Sequence, residues 1–153
     1  MKIAFSGAHS TGKTTLLNRL KHDPDFNLEY EYIDEITRRM VKKGLKINEG
    51  GDGMTQLLIM NSHISNILHE NVIMDRCALD GVVYTRCMYD KGQIEDWVMD
   101  FAEKVFEQII DKYDYIFYLT PEFKIEDDGV RSIDEGFQYS IVKLFEQYIL
   151  ECE

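Results

Sequence analysis

Eight residues near the N-terminus have the types and spacing of a phosphate-binding loop. The run from Gly7 to Thr14 reads GAHSTGKT and fits G-x-x-x-x-G-K-[ST] at every fixed position. The glycines of such a loop let the backbone curl so that successive N–H groups point at phosphate oxygens. The alternative is a chance match on an ordinary strand, turn and helix. The residues expected to contact a nucleotide are Gly7, Ser10, Thr11, Gly12, Lys13, Thr14 and Thr15.

Two of these side chains have specific expected roles. Lys13 should reach the β- and γ-phosphates, and the Thr14 hydroxyl should be a ligand of Mg²⁺. The helix expected after the loop adds the positive end of its dipole to the same place. A nucleoside triphosphate with Mg²⁺ is therefore the expected ligand pair.

A second polar site follows a short apolar run further along the chain. Asp75 and Arg76 come directly after Val72-Ile73-Met74. A carboxylate at the end of an apolar strand is where a magnesium-binding aspartate is needed, so we expect Asp75 to bind the metal. Arg76 could hold a phosphate, or it could steady the acceptor, which is the molecule that would receive a transferred phosphoryl group. The alternatives for Asp75 are a helix N-cap or a surface salt bridge.

The pair Asp34-Glu35 forms a third polar site, after a predicted strand. If the acceptor is a hydroxyl, one of the two carboxylates could take its proton as general base. The pattern equally allows Asp34 with Arg38 and Glu35 with Arg39 to be helix-supporting pairs four residues apart. The sequence does not decide which of Asp34 and Glu35 is the base.

The polar segment 120–133 carries Arg131 and has the composition of a mobile lid. A lid of this kind would deliver a cation to the transferring phosphoryl group. The alternative is a solvated charged loop.

Short apolar strands alternate with helical patterns along the chain. Strands are predicted at 2–6, 29–33, 72–74 and 115–119, with 29–33 half exposed at an edge. Helices are predicted at 15–21, about 35–43, 54–70, 79–88, 94–113 and 134–151, with a loop at 44–53. This alternation indicates an α/β three-layer sandwich with a parallel sheet and right-handed crossovers. The carboxyl ends of the strands, where such folds bind ligands, carry all the polar sites above.

Composition limits the possible functions. With 153 residues the chain is expected to form one domain, 1–153, and its net charge of −11 disfavours binding to duplex nucleic acid. Its three cysteines lack metal or redox spacing and indicate reduced thiols in a cytoplasmic setting. The N-terminal residues lead straight into a strand, so no targeting peptide is expected, and no apolar run approaches the length of a membrane span.

The combination of motifs resembles a known family. The P-loop, Asp34-Glu35 with its following arginines, the stretch from Asp75 to Asp80 with Tyr84, and DDGVR at 127–131 resemble small P-loop kinases grouped with the nicotinamide riboside kinase domain of NadR-type proteins. They are similar, more distantly, to thymidylate and deoxynucleoside kinases, and phages carry small kinases of this kind.

The resemblance implies ATP- and Mg²⁺-dependent phosphoryl transfer to a nucleoside- or nucleotide-type acceptor. It implies that Arg131 is a lid arginine, that Asp75 and Arg76 organise metal and acceptor, and that the carboxylate after the second strand is the base or binds the acceptor. It also implies a sheet ordered 2-3-1-4, usually with a fifth strand. No fifth strand is visible after the last predicted helix, which leaves the choice of ATP over GTP open.

Two other functions fit the same sequence. One is a nucleotide-binding or hydrolysing regulatory module that has no acceptor, and the other is a kinase acting on a modified base in DNA. The acceptor itself matches no pattern in the sequence. The oligomeric state is also open, although the tyrosine-rich edge strand could pair two copies. The expected location is the cytoplasm, that of the host if a phage encodes the chain.

Overall fold

The computed structural model describes residues 1–26, 28–122 and 133–151. The strands are β1 (Lys2–Ser6), β2 (Glu31–Ile33), β3 (Val72–Asp75) and β4 (Tyr115–Tyr118). The helices are α1 (Lys13–Lys21), α2 (Thr37–Lys42), α3 (Gly53–Asn66), α4 (Ala78–Asp90), α5 (Asp96–Ile109) and α6 (Glu135–Glu151). Short 3-10 turns occupy Asn48–Gly50 and Ile110–Lys112.

The strands form a parallel sheet in the order β2-β3-β1-β4. Phe5 of β1 lies beside Asp75 of β3 and Phe117 of β4, while Ile33 of β2 lies beside Met74. The order expected from the resemblance is therefore confirmed, with four strands among the described residues. Because all the strands run the same way, the P-loop and the polar residues after β2 and β3 meet at one edge of the sheet.

Alternate residues of the sheet enter two different cores, as the period of a strand requires. Ala4 and Met74 face the larger core, which α3, α4, α5 and α6 cover. Ile3, Phe5 and Ile73 face the smaller one, where they pack against Leu17 of α1. Helices therefore lie on both faces, which confirms the three-layer prediction. None of the helices in the described part of the chain is long and apolar enough to span a membrane.

Some element predictions were wrong in detail. The strand at 115–119 was predicted to be buried, but β4 is an edge strand with Tyr115 56% and Phe117 49% exposed. Helix α3 ends at Asn66, so Leu68 is 82% exposed instead of extending its apolar face. Helix α5 begins at Asp96, and Trp97 points outward with 58% of its surface exposed.

Gly7 begins the P-loop with a backbone that other residues rarely adopt. Its φ is +139°, and a Cβ at this position would lie 2.4 Å from the carbonyl oxygen of Leu119. Both the backbone conformation and the close approach of the next strand therefore require glycine.

We expect Gly7→Ala to destabilise the fold by about 2–4 kcal/mol, because backbone strain and a backbone clash add together. This corresponds to a fall in Tm of about 4–16 °C for a chain of this size. The measurement is thermal unfolding followed by circular dichroism, with Gly50→Ala as the control. A Cβ at Gly50 would meet only the Lys46 Cβ, at 3.9 Å. Equal Tm values for the two variants would contradict the prediction.

Candidate active site

The P-loop connects β1 to α1 through two glycines in the left-handed region. Gly12, with φ of +83°, is the N-cap of α1, so the helix starts at Lys13 with its first N–H groups facing the loop. Ser10 has a φ of +61° and is buried, whereas Thr15 is exposed on α1. The loop thus leads directly into the helix, as the motif predicts.

Lys13 is buried and folds back over the loop that precedes it. Its Nζ donates to the carbonyl oxygens of Gly7 at 2.8 Å and Ala8 at 2.5 Å, and to Thr11 Oγ1 at 2.9 Å. Burial, reinforced by the nearby Arg76 guanidinium, lowers the pKa of Lys13 to about 7. Groups of the loop itself therefore hold the Lys13 ammonium, and its surroundings favour the neutral amine over the charged form.

Thr14 and Asp75 join the P-loop to the end of β3. Thr14 Oγ1 donates to Asp75 Oδ2 at 2.6 Å, while Asp75 Oδ1 is buried without a hydrogen-bond partner among the described residues. Burial and the neighbouring Glu35 carboxylate raise the pKa of Asp75. A hydroxyl and a carboxylate side by side, with one oxygen unsatisfied, fit Mg²⁺, which takes few protein ligands and completes its shell with phosphates and water.

The N-cap alternative for Asp75 is wrong, because the N-cap of α4 is Cys77. The capping box of that helix is completed by Asp80, whose Oδ2 accepts from the Cys77 N–H at 3.1 Å. Among the described residues, Asp75 therefore accepts a hydrogen bond from Thr14 with one oxygen, and its other oxygen is open to a ligand.

Arg76 links the P-loop to the segment after β2. Its Nε donates to Glu35 Oε1 at 2.6 Å, and its Nη1 donates to Asp80 Oδ1 at 2.9 Å and to the Gly7 carbonyl at 3.3 Å. The guanidinium also lies 5.2 Å from the centre of the Tyr84 ring. The residue has a φ of +83°, which is strained for arginine, and such strain concentrates at functional sites.

Glu35 and Asp34 are adjacent in sequence but lie in different environments. The Glu35 side chain is 9% exposed and bound to Arg76, whereas that of Asp34 is 70% exposed and bound to Lys21 at 2.5 Å. Burial alone would raise the pKa of Glu35, but the Arg76 guanidinium, the hydrogen bonds from Thr37 and Arg76 and the Lys13 ammonium together outweigh burial and lower it to about 2. The structure therefore brings Glu35, and not Asp34, into the cluster.

Asp80 is a central residue that the motif analysis did not single out as a site residue. It is 2% exposed and accepts from Ser6 Oγ at 2.8 Å and the Gly7 N–H at 3.3 Å, besides Arg76. It fixes the start of the P-loop to the start of α4. Its position at the third residue of a helix that follows an Asp-Arg pair was the available signal.

A narrow pocket opens beside this cluster, between α3, α4 and the segments after β2. Tyr84 borders it, and the Tyr84 hydroxyl accepts from the His9 N–H of the P-loop at 3.1 Å. The pocket lining consists of Glu35, Ile36, Thr37, Ile47, Asn48, Gln56, Ile59, His63, Arg76, Asp80, Gly81, Tyr84 and Met88.

The polar lining from α3 was missed because the prediction considered only the apolar residues of that helix. Leu57 and Ile64 do pack against the hydrophobic cores, as predicted, whereas Leu68 is exposed. The same helix also buries the polar side chains of Gln56 and His63. Polar residues on the buried face of a helix were the signal that a pocket lies there. The expected site residue Arg131 lies outside the described residues.

Similarity to known proteins identifies the family of this chain. The model of an AAA domain family, AAA_28, matches residues 2–147. The chain belongs to this family. No curated protein matches the sequence.

Among solved structures, this family member is similar to NadR in complex with NR, with a TM-score of 0.73 and 19% identity over 98% of this chain and 42% of NadR. It is also similar to deoxyadenosine kinase from M. mycoides, with a TM-score of 0.68 and 18% identity over 99% of this chain and 84% of that one. At these identities the likeness establishes the fold alone.

Proposed function

We propose that this protein transfers the terminal phosphoryl group of ATP to a hydroxyl of a nucleoside- or nucleotide-type acceptor. The observation that carries the proposal is the continuous set of contacts from the P-loop to the pocket. Thr14 contacts Asp75, and Arg76 contacts both Gly7 of the loop and Glu35 at the pocket. A phosphate-binding element and a buried carboxylate beside a pocket are the two halves that a small-molecule kinase needs.

Each residue has a role that follows from its position. The loop N–H groups hold the phosphates, and Lys13 exchanges its bonds to the Gly7 and Ala8 carbonyls for bonds to phosphate oxygens. Thr14 and Asp75 would hold Mg²⁺, which would neutralise charge on the phosphate oxygens. Arg76 orients Glu35, and Glu35 accepts the hydrogen bond of the acceptor hydroxyl.

The similarity to deoxyadenosine kinase and to NadR in complex with NR supports an acceptor made of a ring joined to a sugar. The pocket suits such a ligand because it combines apolar residues such as Ile59 and Met88 with amide, imidazole and carboxyl groups. The net charge of −11 argues against a nucleic acid acceptor.

The experiment is ADP release from Mg-ATP against nicotinamide riboside, the deoxynucleosides, the nucleoside monophosphates and DNA that contains modified bases, with Lys13→Ala as the blank. Stimulation by one acceptor class supports the proposal and identifies that class. ADP release without any acceptor would instead support the regulatory-module alternative. Transfer only to a modified base in DNA would support the third function and contradict the proposed acceptor.

The metal role of Asp75 gives a separate prediction. We expect Asp75→Asn to raise the Mg²⁺ concentration for half-maximal rate by about 10–100-fold, because the amide loses the charge that attracts the ion. Thr14→Val should shift the same parameter, whereas Thr14→Ser keeps a hydroxyl and should stay close to wild type. The measurement is a Mg²⁺ titration at saturating ATP, with the exposed Asp111→Asn as control. An unchanged Mg²⁺ requirement in Asp75→Asn would rule this role out.

A further inference from the structure

His63 is a buried polar residue whose ring nitrogens find no hydrogen-bond partner in the part of the chain that the structure describes. Its side chain lies on α3 with 2% of the residue exposed, and neither Nδ1 nor Nε2 has a hydrogen-bond partner among the described residues. Leaving buried polar atoms unpaired costs stability, so a native structure that retains them calls for an explanation. A leucine or methionine would fill the same space without that cost.

The neighbouring helix makes room for the imidazole. A Cβ at Gly81 of α4 would lie 3.1 Å from His63 Cδ2 and 2.4 Å from Met60 Sδ. Glycine inside a helix is itself unfavourable. An unpaired buried histidine and a glycine inside a helix, each unfavourable on its own, therefore meet at one contact. Together they leave the His63 ring in the lining of the pocket that Glu35 and Arg76 also line.

The charge state of His63 fits a role in hydrogen bonding instead of charge pairing. Burial is the main cause that lowers the pKa of His63 to about 4, and the nearby Arg76 lowers it further while Asp80 opposes the change. At neutral pH the ring therefore offers one N–H donor and one nitrogen acceptor. A ligand ring that donates or accepts a hydrogen bond can therefore pair with one of these two nitrogens.

We propose that His63 hydrogen-bonds the ring of the acceptor and determines which acceptor the pocket takes. This inference rests on the proposed kinase function and deepens it. The space open to water between the lining side chains is about 30 Å³, room for about two water molecules. The acceptor ring therefore displaces water from His63 and widens the pocket when it enters.

The test uses His63→Leu and His63→Gln in the full chain. His63→Leu removes both polar nitrogens and should raise Tm, so loss of folding does not confuse the result. Selectivity for adenine is the kcat/KM of deoxyadenosine divided by that of purine deoxyriboside, which lacks the amino group. Selectivity for cytosine is the kcat/KM of deoxycytidine divided by that of its analogue without the amino group. We expect the ratio for the preferred base to fall about 10–100-fold in His63→Leu and to recover partly in His63→Gln, which keeps a donor and an acceptor.

A second measurement separates this inference from the kinase function. The imidazole nitrogen signals of His63 are followed by NMR while deoxyadenosine, deoxycytidine or nicotinamide riboside is added without ATP, and His63→Leu identifies the signals. If the wild type transfers phosphate but His63→Leu keeps its selectivity, the inference is overturned and the function stands. If no acceptor is phosphorylated, the function fails, and the signals decide the inference alone: a shift on adding a nucleoside supports it, and unchanged signals overturn it.

Discussion

Lys13→Met should lower kcat/KM for phosphoryl transfer by about 100–1000-fold, the usual loss when one preorganised charge on a transition state is removed. The side chain is 5% exposed, so methionine of similar length fills the space without opening the loop. Arg76 still donates to the Gly7 carbonyl, so one of the freed loop oxygens keeps a partner. Folding is checked by circular dichroism, and the exposed Lys104→Ala is the control. Activity within threefold of wild type would contradict the role of Lys13.

The same lysine predicts two pH dependences of opposite sign, one of ATP affinity and one of the free energy of unfolding. Its pKa of about 7 lies below the ordinary 10.5, so the nucleotide-free protein loses the ammonium charge as pH rises above 7. Binding of phosphate needs that charge, and we expect ATP affinity to fall by up to about tenfold per pH unit above 7. Between 7 and 10.5 the unfolded chain binds one more proton than the folded chain, so the free energy of unfolding should rise with pH.

Titration calorimetry with a non-hydrolysable ATP analogue measures how ATP affinity changes from pH 7 to 9. Urea unfolding over the same range measures how the free energy of unfolding changes. Lys13→Met should remove both contributions, and taking the difference from wild type cancels the titration of the nucleotide itself. Identical slopes in the two proteins would show that Lys13 does not titrate in this range.

The P-loop and the parallel sheet were predictable because each is encoded by neighbouring residues. Gly7 meets a backbone requirement that almost no other residue meets, Gly12 has a left-handed backbone that favours glycine, and Lys13 and Thr14 follow at a fixed distance. The apolar run before Asp75 can only be a short strand or part of a buried helix, and its length decides for the strand. Such local requirements survive any choice of tertiary packing.

The pocket was not predictable in the same way, because tertiary contacts decide it. Gln56 and His63 look like interruptions of an apolar helix face until α4 is packed against them. The exposure of β4 depends on which strands lie beside it and which helices cover it. Asp80 acts through Ser6 and Gly7, more than 70 positions away in the chain, and no spacing within one segment reveals that contact.

The choice between Asp34 and Glu35 was likewise left open by the sequence, and the environments of the two carboxylates now favour one outcome. We expect Glu35→Gln to lower kcat by about 100–10,000-fold at saturating substrates, the usual range for loss of a group that handles the acceptor proton. Asp34→Asn should stay within about twofold, because an exposed ion pair such as the one to Lys21 contributes little. Steady-state kinetics of both variants at pH 7.5 is the measurement.

The low pKa of Glu35 sharpens this prediction. A carboxylate with a pKa of about 2 is a weak base, so its main contribution is to orient the acceptor hydroxyl and to receive the proton late in transfer. Glu35 remains ionised throughout pH 5–8, and its titration should add no acid limb to the rate profile there. The stability that it contributes should be present above its ordinary pKa of 4.5 and be lost as pH falls towards 2.

Glu35→Gln keeps an oxygen that can accept from Arg76, so the structural link to the P-loop is largely preserved. A fall in kcat with little change in ATP affinity would therefore assign Glu35 to the acceptor hydroxyl. Glu35→Ala also leaves the buried Arg76 without one of the two carboxylates that pair with it among the described residues, and it should lose stability as well as rate. If Asp34→Asn lost as much activity as Glu35→Gln, the assignment would be wrong, because an exposed carboxylate held by Lys21 would then be acting on the acceptor.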